Sequence, residues 1–126
     1  MFSKITENVE CRSESKCFRQ TSPLVQNMVN FNSKKNQITK EKLEKYFKLT
    51  ESAFEIAKKK IIKGKEHHAS EIISMVSNYL SDARHFEKRG DFVNAFAAIN
   101  YSHGWLDAGV RLDIFNVKDS KLFTIK

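Results

Sequence analysis

An all-α fold, an up-and-down three-helix bundle, is predicted by three features of this sequence. Breakers are scarce: one Pro and four Gly among 126 residues, too few for a turn-rich β architecture. Apolar residues recur at three- and four-residue steps through three successive stretches, the period of a helix with one buried side. Between the second and third stretch stands Gly90-Asp91, a turn so short that the flanking helices must run antiparallel. The length suits one domain.

Residues 1–37 are rich in Ser, Asn, Lys and Gln without a sustained period, so a poorly ordered polar and basic extension is expected there. A weak helical turn near Leu24-Val25 is the one structured feature expected of it. Met28, in QNMVNF, is a candidate start codon, on which reading the preceding residues are not translated. Cys11 and Cys17 lack the close spacing and second ligand pair of a metal knuckle, and read as incidental free thiols. MFSKITENVECRSESK has no apolar h-region, and no run approaches the roughly 20 apolar residues of a membrane span. No membrane association and a cytoplasmic location are the expectations.

The bundle is expected over residues 38–116. Thr39 suits an N-cap, with Ile38 and Leu43 at hydrophobic-staple spacing around it. Leu43, Phe47, Phe54, Ala57 and Ile61 then make one stripe, which predicts a first helix over about 40–63 with Gly64 as its stop. A second helix, about 66–89, carries Ala69, Ile72, Ile73, Val76, Tyr79, Leu80, Ala83 and Phe86 on a broad face. Gly90 ends it, and Asp91 caps a third helix running to about Phe115. Residues 117–126 read as a tail, strand-like or extended, whose Phe123 and Ile125 dock back.

The third helix carries two stripes. Phe92, Ala95, Phe96, Ile99, His103, Leu106 and Val110 share the face turned to the first two helices. Ala97, Tyr101, Trp105, Ala108 and Leu112 lie on the far side, leaving only a wedge near Asn100, Asp107 and Arg111 to water. A bundle helix needs one stripe, so something must cover the second. The candidates are the chain's own tail or first helix, the same helix of another protomer, or a different protein. Trp and Tyr are typical interface anchors. Gly104, mid-helix, costs about 1 kcal/mol against Ala, and close approach of a neighbouring element would compensate. His103 and Asp107 form a buried polar spot, in which Asp107 can hold the ring N–H and fix the tautomer.

At these residues the chain resembles a known family. Gly90-Asp91 followed by Tyr101, His103-Gly104-Trp105-Leu106-Asp107-Ala108-Gly109 and Arg111-Leu112 is similar to the archaeal domain-of-unknown-function family 357, over roughly residues 40–115. The resemblance implies an up-and-down three-helix bundle in short proteins of no established activity. It implies no catalytic residues.

No catalytic motif emerges from the residues themselves. KGKEHH, around Gly64, is too short and too poor in Gly for a phosphate-binding loop. His67 and His68 are adjacent and point about 100° apart, so they cannot chelate from one face. Asp82 with His85, and His103 with Asp107, fall at different levels of the hairpin, which separates them as a shared metal site. Arg84 directly precedes His85, without the gap found in helical toxin ribonucleases.

The net charge of +7 is uneven: +3 over residues 1–37, +4 over 38–67 and zero over 68–126. That excess favours an acidic partner. Lys58, Lys59, Lys60, Lys63 and Lys65 near the first helix's end suit phosphates, but also complement a helix dipole, and no aromatics interleave them for base stacking. The sequence thus reads as a non-enzymatic helical interaction module without cofactor or metal. It is expected to self-associate or dock a protein through Tyr101, Trp105, Ala108 and Leu112. The alternative is a nucleic-acid-associated accessory protein using the five lysines.

Overall fold

The computed structural model describes residues 35–126. The expected N-terminal extension, its helical turn, Met28 and both cysteines lie outside the described residues, apart from 35–37. Three helices follow in order: α1 over Lys40–Lys58, α2 over Glu66–Lys88 and α3 over Phe92–Arg111. Among the described residues there is no strand, and no helix is long and apolar enough to cross a membrane.

Thr39 caps α1 as its position predicts, its side chain accepting from Lys42 N at 3.2 Å. Leu43, Tyr46, Phe47, Thr50, Ala53 and Ala57 form its buried face. The helix stops at Lys58, several residues short of the expected end. Lys60 and Ile61 leave the helix to meet the segment after α3, where Asn116 N donates to Lys60 O at 2.7 Å and Ile62 N to Ile114 O at 2.9 Å. Ile61, expected on the buried stripe, is exposed in this isolated bridge opposite Phe115. Gly64 takes the left-handed conformation with φ +90°, but in the turn leading into α2 instead of at the end of α1.

Gly90 and Asp91 behave as their types require. Gly90, φ +77°, closes α2 in a Schellman turn: Asp91 N donates to Phe86 O at 2.9 Å and Gly90 N to Glu87 O at 3.0 Å. Asp91 then caps α3, its carboxylate accepting from Asn94 N at 3.1 Å. The Asn94 side-chain amide, donating to Asp91 Oδ2 at 2.6 Å, and the main-chain bond hold the Asp91 carboxyl below its ordinary range.

Contacts fix the helix directions. Tyr46 meets Phe96 edge to face, ring centroids 5.0 Å apart, and Thr50 meets His103, so α1 and α3 advance together. Tyr79 packs at 4.5 Å against Tyr101, the rings tilted, whereas Ile72 lies against Gly109, so α2 and α3 run oppositely. The helix α3 packs along both neighbours, which approach each other little. Their main link is Arg84 on α2. Its guanidinium lies over the Phe47 ring at 3.6 Å and reaches Glu51 at 2.8 Å, Glu87 at 3.1 Å and Glu44 at 3.4 Å.

The end of α3 also comes earlier than its apolar run suggests. Asp113 adopts φ 57°, and a second Schellman turn forms as Ile114 N donates to Gly109 O at 2.9 Å and Asp113 N to Val110 O at 3.3 Å. That turn swings Ile114 and Phe115 inward, where both are buried. Phe115 rests directly on Gly109: a Cβ there would stand 2.6 Å from Phe115 Cδ2 and 3.1 Å from Ile72 Cδ1. Continuing the helix would forfeit that packing. The tail then returns along α3 and buries Phe123 completely, with Ile125 half-buried.

Candidate functional site

The inner side of α3 is closed by the chain itself. Ala95, Ala98, Ile99, Ser102, His103, Leu106, Gly109 and Val110 are buried; Phe92 and Phe96 are partly so. His103 is 1% exposed. Its Nδ1 lies 3.2 Å from Thr50 Oγ1, its Nε2 lies 3.8 Å from Asp107 Oδ1, and the ring also meets the Leu122 main chain. Burial pushes the imidazole below its ordinary pKa, against the opposing pull of Asp107 and of the Leu122 hydrogen bond.

Asp107 plays a different part from the one its spacing suggests. At 3.8 Å it is beyond hydrogen-bond reach of the ring. Its carboxylate is occupied by the tail: Thr124 N donates to Oδ1 at 2.8 Å and Thr124 Oγ1 to Oδ2 at 3.1 Å. Arg111 donates to Ile125 O at 3.2 Å. The Asp107 and Arg111 part of the wedge expected to face water is therefore the bed of the C-terminal tail. Asn100, the third member of the wedge, is only partly exposed, and its Oδ1 is buried without a hydrogen-bond partner among the described residues.

The outer side is different. Tyr101 is 48% and Leu112 67% exposed, Ala97 and Ala108 are exposed, and Trp105 is half-buried. Neither the described tail nor α1 covers this stripe, so cover by the chain's own tail, one of the alternatives, is excluded by where the tail runs. An open groove of about 760 Å³ is lined here by Ala97, Asn100, Tyr101, Gly104, Trp105 and Ala108. Tyr101 joins an aromatic shoulder, with Tyr79 on one side and the Trp105 ring at 6.3 Å on the other. A Cβ on Gly104 would meet nothing within 4 Å. The close approach expected to compensate for this glycine is absent among the described residues.

The expected stripe left out two residues of this face. Val93, 69% exposed, extends it to the start of α3, and Gly104, expected only as a point of close approach, lies within it. A helical wheel centred opposite Ile99 and Leu106 would have included both.

The five lysines are exposed, but they do not share a helix end. Only Lys58 is helical; Lys59 is the cap, and Lys60, Lys63 and Lys65 lie in the connection to α2. Lys58 pairs with Glu55 and stands over the Phe54 ring at 4.6 Å. Its ammonium holds the Glu55 carboxyl below the usual range. Among the described residues no group of three or more His, Cys, Asp or Glu is arranged to hold a metal ion.

The family described as Protein of unknown function (DUF357) matches residues 45–115, from within α1 to just beyond α3. The chain belongs to this family. The DUF357 match takes in both faces of α3, Gly104 and Gly109 included, and stops before the tail that closes the inner face. No curated protein and no solved structure matches the chain.

Proposed function

We propose that this DUF357 protein is a non-enzymatic helical interaction module that associates through the outer face of α3. Tyr101, Trp105, Ala108 and Leu112 form the contact surface. The observation that carries this reading is Gly104: a glycine inside a regular helix, open to space, between an exposed tyrosine and an exposed alanine. Within the described fold it only weakens the helix, by about 1 kcal/mol relative to Ala. A backbone that comes close to α3 from outside gives it a use. The aromatic shoulder beside it supplies the kind of anchor that dominates protein interfaces.

Phosphate recognition by the lysines is less well supported, since Lys58 is engaged by Glu55 and Phe54, and the rest are spread along a connection. Light scattering coupled to size exclusion tests the main reading on the full chain, alongside Trp105→Ala with a thermal melt as folding control. Trp105→Ala is expected to weaken association, with itself or with a captured protein, by about 2 kcal/mol or more. Equal association by a folded Trp105→Ala variant refutes that role. Binding that collapses with salt and with neutralisation of Lys58, Lys59 and Lys60 would favour nucleic acid instead.

A further inference from the structure

The geometry points to a second copy of this chain as the occupant of the outer face, with the two α3 helices antiparallel about a two-fold axis between Ser102 and His103. The inference rests on the interaction reading above and names its partner. It comes from the order of residues along the face. Val93, Ala97, Tyr101, Gly104, Ala108 and Leu112 are all exposed, and they follow one another at steps of four, four, three, four and four.

That series reads the same in both directions, and so does most of its chemistry: a large aliphatic at each end, an alanine next inward, and at the centre one tyrosine and one glycine. Two helices related by a perpendicular two-fold bring each residue level with its mirror position in the series. Val93 comes level with Leu112 of the second copy, Ala97 with Ala108, and Tyr101 with Gly104. The bulkiest of these six side chains thus falls, twice, beside the position that has no side chain.

The alanine layers on either side let the backbones approach. The mean step of about 3.8 residues exceeds the 3.6 of a straight helix, which is the sense of a right-handed helix pair. A contact in which residue i meets j while j meets i is the signature of an isologous dimer. A foreign partner would require no such symmetry of this surface.

Electrostatics permits the pairing. None of the six residues is charged, and they span about 28 Å of helix at 1.5 Å per residue. Both copies carry a net +7, so their mutual repulsion is screened as salt rises, with a Debye length of about 10 Å at 0.1 M. The dimer should tighten with salt, the reverse of phosphate binding.

The test uses the full chain with Cys11 and Cys17 replaced by Ser, and two single variants, Ala97→Cys and Ala108→Cys, under mild oxidation. The mixture is expected to give a disulfide-linked dimer. Either variant alone is expected to give none from this face, because its two sulfurs would lie about 16 Å apart along the helices, far beyond disulfide reach. Light scattering of Gly104→Leu, whose side chain starts in open space, is expected to show dimerisation weakened about tenfold or more, with a melting temperature no lower than that of the parent at monomeric dilution.

Homodimeric cross-linking of either variant alone overturns the antiparallel register. A dimer that ignores Gly104→Leu and does not cross-link in the mixture uses another face and overturns the inference. A monomer at every concentration up to the solubility limit overturns the second copy as occupant. That last result leaves the interaction reading standing with a foreign protein, and it is Trp105→Ala that decides there.

Discussion

Gly104 and Gly109 stand five residues apart in one helix and teach opposite lessons. At Gly109 the chain has used the missing side chain: Phe115, turned inward by the Asp113 turn, occupies the space a Cβ would need. At Gly104 nothing within the described fold has done so. The contrast extends to their surroundings. Around Gly109 the tail, α2 and the bridge near Ile61 complete one side of α3, whereas around Gly104 two exposed alanines and an exposed tyrosine leave the other side open. The same residue type in the same helix is a packing device at one position and an unmet contact at the other. Tertiary contact, not propensity, separates them.

The largest way to break the closed side is at its plug. Phe123 is fully buried, and Phe123→Ala should destabilise the fold by about 3–5 kcal/mol, read by urea denaturation. Tail release should accompany it, visible as proteolysis after α3. An unchanged denaturation midpoint would mean that the tail contributes little to closure.

The glycines themselves sharpen the comparison. Gly109→Ala should lose about 1–3 kcal/mol, because the new methyl forces the Phe115 ring aside. Gly104→Ala should gain about 1 kcal/mol in thermal or chemical denaturation of the dilute monomer. Gains at both sites would show that helix propensity outweighs context.

The smallest expected effect is electrostatic. His103 is held below its ordinary pKa by burial, so in the folded state it binds its proton later than in the unfolded chain as pH falls. Its contribution to stability is full above the ordinary value near 6.5 and is lost as pH drops from there through the lower folded pKa. Asp107 and the Leu122 hydrogen bond moderate the loss. Urea midpoints of the parent and of His103→Gln, compared from pH 7 to 5, should therefore converge towards acid. Parallel pH profiles would show that His103 binds its proton equally in both states or is compensated elsewhere.

Much of the fold was legible in local chemistry. Thr39, Gly90 and Asp91 each do what their types favour, because caps and left-handed turns depend on a few neighbouring atoms. The double stripe of α3 was legible too, because a helix of known period places every side chain around its axis. The misjudged helix ends have a common cause: Ile61, Ile114 and Phe115 fit a helical stripe, yet all leave the helix to meet one another. Periodicity cannot register a pairing between segments more than fifty residues apart in the chain. The role of Asp107 was missed for the same reason, since its spacing points to His103 while its hydrogen bonds go to Thr124.

By itself the sequence determined three amphipathic helices, the hairpin at Gly90-Asp91 and a third helix apolar on two sides, because these follow from residue type and spacing within a few turns. Only the tertiary structure decided which side of that helix the chain closes. The tail has one route on which Asp107 and Arg111 satisfy its backbone and Phe123 leaves water. That route lies over Asp107 and Arg111, beside the buried face, and the face around Gly104 remains uncovered among the described residues.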